Sequence, residues 1–334
     1  MVAPSAGSEI VAVTTPAEQE RFCSLPGLGS LDAAAVLRHA PDSQWLLLDR
    51  GSVAARCSLW YRATPSYGAE RLGFIGHYAT RDEPTSRALL AYACEELRRQ
   101  ECALAVAPID GNTWRRYRLL TERGSRPMFF LEPDNPDDWP SHFTSQGFAA
   151  LAHYYSSIAE NVTAPSNEDV AVDLASQGFT IRPLDLARFS DEMHKIFEIS
   201  VSAFAHNFLY SPIREEEFLS QYAAIRPYLT PDLVLIAEWQ GEPAGFAFAV
   251  PDLFQLQHGE PVNTLVFKTL AVHPRFSRRG LGGLLVRRMH QLAPAHGFRN
   301  IIHALMYEKN PSTRISAHYA SVFRRYALYA KALK

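Results

Sequence analysis

The chain has 334 residues, of which 47% are hydrophobic and 20% are charged, and its formal net charge at pH 7 is −2. A chain of this length exceeds what one hydrophobic core commonly supports, so we expect two domains of about 150 residues each. The near-neutral charge excludes a broad electrostatic attraction to nucleic acid or to an anionic membrane, so neither is expected as a partner.

The apolar stretches and the cysteines exclude further classes of protein. The longest apolar stretches, residues 244–250 and 265–272, are far shorter than the roughly 20 residues of a membrane-spanning helix. The first residues lack the basic start and apolar run of a signal peptide, which favours a cytoplasmic location. No metal site is expected, because no CxxC spacing or nearby histidine cluster accompanies the four cysteines, Cys23, Cys57, Cys94 and Cys102.

The N-terminal half shows alternating strand and helix patterns. Runs rich in β-branched and aromatic residues predict strands, and apolar residues at helical spacing predict helices. The predicted strands are residues 10–13, 44–48, 53–61, 72–79, 103–107 and 147–158, and the predicted helices are 85–99 and 138–145.

A compositional break then separates the two halves of the chain. In residues 160–176 Asn, Thr, Pro, Ser and acidic residues replace the apolar periodicity on either side. Such a stretch is typical of a linker. We therefore predict a first domain at 1–162, a linker at 163–176 and a second domain at 177–334.

The C-terminal half shows the same order of elements more clearly. Strands are predicted at residues 180–183, 233–239, 244–250, 264–272, 300–306 and 323–333, and helices at 186–204, 213–224 and 282–295. The repeated order predicts a mixed α/β sandwich that occurs twice.

A glycine-rich loop between a strand and a helix is the most informative motif. The strand ends at Val272, the chain turns at His273-Pro274, and residues 278–283 open directly into an amphipathic helix. Glycines let backbone N–H groups approach a ligand closely, and a helix N-terminus carries positive potential. This loop is suited to a pyrophosphate, with the adjacent arginines as further phosphate ligands. The alternative interpretation is a plain strand-to-helix turn.

The motif resembles the acyl-CoA loop of the GNAT N-acetyltransferases, which reads R/Q-x-x-G-x-G/A. Ser277 stands where that family usually has Arg or Gln. The resemblance implies two GNAT-like domains in tandem, of α/β (α+β mixed sheet) class, and acetyl-CoA or another acyl-CoA as cosubstrate. The acyl-CoA ligands that it implies are Leu270, Ala271, Val272, Arg278, Arg279, Gly280, Leu281, Gly282, Gly283 and Asn310. Asn310 could instead cap a helix that begins at residue 311.

The first half lacks these features at the equivalent position. Residues 79–86 contain acidic side chains and no glycine, so we expect no CoA site there. Its loops are nevertheless rich in polar and aromatic residues, which favours a role in recognising the acceptor. The residues concerned are Asp110, Asn112, Trp114, Tyr117, Arg118, Glu132 and Asn135. The alternative is that Trp114 and Tyr117 pack the domain interface.

The resemblance implies direct attack of an amine on the thioester, which needs a base for the amine and an acid for the leaving thiolate. Glu238 and His273 are the predicted bases, and His303 is a further candidate that is equally typical of a core residue. Tyr319, Tyr326 and Tyr329 are candidate acids. We predict an N-acyltransferase for a primary amine of a small molecule or peptide, acting as a monomer or homodimer. An inactive CoA-binding sensor or scaffold and a Fem-like aminoacyl transferase are the alternatives.

Overall fold

The computed structural model describes residues 7–25, 27, 29–163, 178–223 and 225–333. The predicted linker, apart from residue 163, lies outside the described residues. The first half contains β1 (Ser8–Ala12), α1 (Pro16–Cys23), α2 (Ala33–Arg38), β2 (Ser43–Asp49), β3 (Ser52–Trp60), β4 (Ser66–Tyr67), β5 (Glu70–Thr80), α3 (Glu83–Arg99), β6 (Leu104–Ala107), β7 (Leu119–Glu122), α4 (Trp139–Thr144) and β8 (Ala149–Ala159).

The second half repeats this order, as the sequence predicted. It contains β9 (Phe179–Pro183), α5 (Phe189–Phe204), α6 (Glu215–Ala223), β10 (Val234–Trp239), β11 (Glu242–Pro251), α7 (Leu253–Gln257), β12 (Thr264–Val272), α8 (Leu281–Ala295), β13 (Asn300–Tyr307), α9 (Ser312–Ser316) and β14 (Ser321–Ala332). The predicted strands and long helices are present, and the predicted α/β class is confirmed.

One continuous mixed sheet joins the two halves. In the described part of the chain its strand order is β1-β2-β3-β5-β6-β14-β8-β13-β12-β11-β10-β9. The order is symmetric about the β14–β8 pair, and each half has one parallel pair, β5 with β6 and β12 with β13. The halves are therefore two copies of one strand arrangement that share a sheet.

The last strand of each half lies in the other half. β14, from the C-terminal half, pairs with β6 of the first half, and β8, from the first half, pairs with β13 of the second. The two exchanged strands also pair with each other. The predicted linker divides the sequence into its two halves. A cut there would nevertheless remove β8, the strand that pairs with β13.

Helices cover both faces of the sheet in the second half. Ile196 of α5 and Phe218 of α6 pack on one face, while Leu285 and Met289 of α8 pack on the other. All four side chains are fully buried. These amphipathic helices place their apolar stripes against the strands, as helices do in layered α/β folds.

Membrane-spanning helices and metal-binding clusters are both absent from the described residues. None of the helices there combines the length and the apolar character required to cross a membrane. No group of three or more His, Cys, Asp or Glu side chains in this part of the chain could hold a metal ion.

Candidate active site

The parallel strands β12 and β13 separate part-way along their length. Their pairing runs from Thr264 opposite Asn300 to Phe267 opposite His303 and then stops. Beyond this point residues 269–272 of β12 pair with β11 on one side alone. The other edge of β12, which includes the predicted ligands Leu270, Ala271 and Val272, is therefore open to an extended ligand that pairs with backbone groups.

A bulge in β13 turns this strand away from β12. Its register with β8 shifts between His303 and Met306, and Leu305 has a φ of +58°. Two side chains of the first half hold the bulge. Ser156 Oγ accepts a hydrogen bond of 2.9 Å from the Leu305 N–H, and an Arg118 guanidinium nitrogen donates one of 3.1 Å to its carbonyl. The N-terminal half thus helps to keep the strands apart.

The glycine-rich loop lies at the end of β12. Gly280 is the N-cap of α8 with a φ of +84°, and no side chain caps this helix. Space is open around both Gly280 and Gly283, where an added Cβ would meet nothing within 4 Å. Arg278 and Arg279 are exposed beside it. Uncapped N–H groups, open space and two arginines fit the phosphates of CoA.

The equivalent place in the N-terminal half is closed. There Ile109 N–H donates a 2.9 Å hydrogen bond to the Ile75 carbonyl, so the backbone continues across the gap. A Cβ on Gly76 would overlap the Ile109 carbonyl. The first turn of α3 is also occupied, because Asp82 caps it by accepting a 2.9 Å hydrogen bond from Thr85 N–H. In the described residues of this half there is therefore neither an open gap between the parallel strands nor an uncapped helix N-terminus.

Beyond Phe267 and His303 the separating strands β12 and β13 leave a gap, here called the wedge. A cavity of about 280 Å³ fills the wedge and extends toward the first half. Helices α5 and α6 and the loop of residues 113–117 line its side toward the first half. Aromatic residues dominate its walls, and they come from both halves of the chain. They are Trp114, Tyr117, Tyr154, Phe204, Phe208, Tyr210, Phe218, Tyr222, Phe267 and Tyr307.

Comparison with known proteins agrees with this geometry. Residues 193–315 match the model of the acetyltransferase (GNAT) family. These residues form a GNAT domain. The predicted resemblance is confirmed, and the matched range contains the wedge, the loop and the helix that follows it.

Structural and sequence relatives cover more of the chain. A GCN5-related N-acetyltransferase of Sphaerobacter thermophilus aligns over 99% of this chain and 98% of its own with a TM-score of 0.53 at 14% identity. A tandem GNAT protein from the clavulanic acid biosynthesis pathway aligns over 98% and 99% with a TM-score of 0.53 at 14% identity. Both likenesses establish the tandem GNAT fold. In sequence, a Caulobacter vibrioides protein named bacterial ceramide synthase is 25% identical over 274 residues, which are 75% of this chain and 71% of that protein.

Lys268 places an ammonium group in the cavity of the GNAT domain. Among the described residues that line the cavity it is the one Lys or Arg, and no Asp or Glu is present among them. Its Nζ lies 5.1 Å from the centroid of the Tyr222 ring. Burial lowers the pKa of Lys268 to about 8, because an apolar environment disfavours the charged form.

A pair of histidines lies behind the point where the strands separate. His303, which lines the cavity, bonds through Nδ1 to Ser316 Oγ at 2.7 Å and through Nε2 to His290 Nε2 at 3.0 Å. Burial lowers the pKa of His303 to about 3 and that of His290 to about 4. Both rings are therefore neutral at pH 7, and His303 is a weak base.

Of the candidate bases and acids, only His303 is among the described residues that line the cavity; the others lie outside it, namely Glu238, His273, Tyr319, Tyr326 and Tyr329. Glu238 is bound by Arg182 at 2.7 Å and Lys195 at 3.1 Å, and hydrogen bonds from these two, Arg182 first, hold its pKa below the ordinary value. His273 instead caps a short 3-10 helix by accepting a hydrogen bond from the N–H two residues on. Their catalytic roles stay predictions.

All three candidate tyrosine acids contact other side chains, and Tyr319 stacks on His290 with ring centroids 4.3 Å apart. The Tyr326 hydroxyl donates to Glu132 and lies 3.1 Å from Ser156 Oγ, and burial raises its pKa. Tyr329 stacks on Phe143 with ring centroids 5.8 Å apart. Of the predicted CoA ligands, Leu270 and Asn310 line the cavity and residues 278–283 form the loop beside it.

The N-terminal loops divide into two groups. Trp114 and Tyr117 both line the cavity, and Trp114 also packs the interface by donating from Nε1 to the Ser211 carbonyl at 2.9 Å. Glu132 and Asn135, in contrast, are buried and bind groups of their own surroundings, and their role in acceptor recognition stays a prediction. Their dense polar character reflects buried hydrogen bonding, which a sequence does not distinguish from a ligand site.

The sequence analysis did not identify Arg115, which holds helix α6 beside the cavity. Its guanidinium forms a bidentate ion pair with Glu217 of α6, at 2.6 and 3.0 Å, and both side chains are about nine-tenths buried. The same guanidinium donates to the His39 and Asp110 carbonyls. The first half thereby fixes α6, the helix whose Tyr222 contacts Lys268.

Proposed function

We propose that this chain is an N-acyltransferase that moves an acyl group from an acyl-CoA to a primary amine. One observation carries the proposal: the open edge of β12 runs from an uncapped, glycine-lined helix N-terminus directly into a cavity lined by aromatic residues. A phosphate site and an aromatic-lined cavity at the two ends of one strand edge suit a long thioester donor. The GNAT family match of residues 193–315 supports the same reaction class.

The donor would be held mainly by backbone and arginine groups. The N–H groups of the first turn of α8 would bind the pyrophosphate, with Arg278 and Arg279 alongside. The free edge at residues 270–272 would pair with the amide-rich arm, and Asn310 would face it from the opposite wall. When bound, the thioester supplies an activated acyl group, so no Ser or Cys nucleophile of the chain is needed.

The acceptor would enter from the side of α5, α6 and the first half. The Lys268 ammonium and the absence of a carboxylate among the described lining residues disfavour a second ammonium, so the cavity favours the uncharged, nucleophilic amine. The Caulobacter relative, at 25% identity, is named for ceramide, a lipid in which a fatty acyl group is joined to an amine. An apolar acceptor or a long acyl chain agrees with the aromatic lining.

Calorimetry with acetyl-CoA tests the donor site. We expect one site per chain, and Gly280→Asp should abolish binding because a carboxylate would replace the anion. Gly51→Asp is the matched control, since Gly51 also has a positive φ and open space but lies in a turn of the first half. Equal affinity of the two variants would reject the site.

Release of CoA in the presence of amines tests the reaction. A thiol reagent reports CoA release from acetyl-CoA and from longer acyl-CoA donors with a panel of primary amines. Amine-dependent release supports the transferase. Binding of acetyl-CoA without release by any donor and amine would favour the sensor or scaffold instead.

A further inference from the structure

Lys268 owes its position in the cavity to a bulge in β12. Phe248 of β11 pairs with Thr269 and the next residue, Ala249, pairs with Phe267, so Lys268 is an extra residue without a partner. Bulges of this kind re-aim a side chain and are common beside active sites. Here the bulge directs a lysine toward Tyr222 of α6, within an otherwise apolar run of the strand.

The ammonium group of Lys268 has no counterion among the described residues. This half-buried side chain has no carboxylate of the described chain within ion-pair distance of its Nζ, which lies over the Tyr222 ring. Most buried ammonium groups are paired, because removing a charge from water costs several kcal/mol. A lone lysine that a bulge aims into a cavity is therefore arranged for a charge that the chain itself does not supply.

We propose that Lys268 binds a carboxylate of the acceptor, so that the acceptor is an apolar amino acid or a similar amine that carries one acid group. This inference rests on the proposed function and names the substrate class of that same site. The phosphates of the donor would lie at Arg278 and Arg279, so they do not account for a cation inside the cavity. The thioester and its acyl group are uncharged.

The remaining lining agrees with a small monoanion. One lysine balances one carboxylate, whereas a phosphate dianion commonly requires more than one cationic partner. Asn207, Tyr210 and Gln221 line the same cavity and offer neutral hydrogen-bonding groups. A simple cationic amine would meet Lys268 with no carboxylate to offset the repulsion, so the cavity selects against polyamines and lysine side chains.

Matched acid and amide acceptors test the proposal. Leucine, phenylalanine and tryptophan are each compared with their amides, which have the same shape without the negative charge. The amide amine holds its proton less tightly, so intrinsic reactivity favours the amide. We expect the wild-type protein to prefer the acids by about 10- to 100-fold in kcat/KM, as for a hydrogen bond to a charged group.

Variants of Lys268 test whether this residue causes the preference for acids over amides. Lys268→Met should reduce the acid-to-amide ratio to near one, and Lys268→Arg should retain most of it because the cation remains. Lys331→Met, at a lysine outside the cavity lining, is the control and should keep the wild-type ratio. If Lys268 were instead the base, Lys268→Arg would lower kcat for acids and amides alike, and that result would overturn the proposal.

A binding measurement gives a result even without turnover. N-acetyl derivatives of the same amino acids and amides are titrated into the wild type and Lys268→Met by calorimetry. Tighter binding of the acids that Lys268→Met loses supports the proposal. Equal binding of acids and amides, or no binding of either by protein that binds acetyl-CoA, refutes it. Failure to bind acetyl-CoA would instead refute the proposed function.

Discussion

Replacing Lys268 by methionine should make the protein more stable at neutral pH. In the folded chain the pKa of Lys268 falls from its ordinary value of 10.5 to about 8, and burial is the cause. This difference corresponds to about 3 kcal/mol of folding free energy at 1.36 kcal/mol per pKa unit. Methionine has a similar length and removes the charge, so it should recover a large part of that cost.

The gain should depend on pH in a defined direction. The folded pKa is depressed, so between about pH 8 and 10.5 the unfolded chain holds the proton more tightly than the folded one. The free energy of unfolding of the wild type therefore rises through this window relative to the variant. The advantage of Lys268→Met is full below pH 8 and vanishes above 10.5.

Urea unfolding of both proteins at several pH values between 7 and 10.5 measures this difference. The folded pKa values of the neighbouring His303, about 3, and Tyr222, about 12, lie outside the window. In the unfolded chain the pKa of Tyr222 is near its ordinary value of 10, but this contribution is common to both proteins and cancels in their difference. Lys331→Met controls for the loss of any lysine. The reasoning is refuted if Lys268→Met is less stable than the wild type at pH 7, or if the difference does not change with pH.

Three further predictions concern the contacts between the halves and the glycines. Glu217→Gln leaves the Arg115 guanidinium buried beside a neutral amide, and urea unfolding should show a loss of about 3 kcal/mol. Gly76→Ala should cost about 2 kcal/mol or more through overlap with backbone, whereas Gly283→Ala, in open space, should leave stability unchanged or slightly higher. Arg118→Met removes one support of the β13 bulge, so kinetics should show kcat/KM reduced about tenfold while calorimetry shows nearly unchanged acetyl-CoA affinity.

The local parts of the site were predictable from the sequence. The strand that ends at Val272, the turn at His273-Pro274 and the helix that begins beyond Gly280 lie where they were predicted. Glycine at the N-cap was the decisive signal, because its φ of +84° is one that most residues rarely adopt. All of this information lies within about twenty consecutive residues.

Short elements were missed although some carried a local signal. Helix α1 begins after Thr15, whose side chain accepts from Glu18 N–H in a capping box, and Pro16 occupies its first turn. That pattern was readable in the sequence. Strands β4 and β7 contain two and four residues, too few for periodicity to be recognised.

The exchange of β8 and β14 had no signal in the sequence. In each strand one part alternates buried and exposed residues and another part is buried throughout. These burial patterns do not specify which strand is the neighbour in the sheet. The catalytic predictions depended on this missing information. Tyr326 and Tyr329 lie on β14, which the exchange carries away from the wedge and into contact with the first half.

The position of Lys268 depended on pairing as well. A lysine between Phe267 and Thr269 in an apolar strand was visible as an exception, yet its direction is set by the bulge opposite Phe248 and Ala249. In a regular strand the side chains would alternate, and the same residue could have faced either α8 or α6. A charged residue inside a predicted buried strand is therefore a useful signal for a site, even where its direction is unknown.

The exchange also explains why the first half keeps the complete fold although its strand gap is closed and its helix N-terminus is capped. β13 needs β8 as its neighbour, and the bulge that opens the wedge is held by Ser156 and Arg118 of the first half. Arg115 fixes the helix over the cavity from the same side. The Asp82 cap and the closed strand gap of the first half take no part in these contacts, so they do not disturb the cavity of the second half. What the first half cannot lose is the strand and the three side chains with which it shapes the cavity.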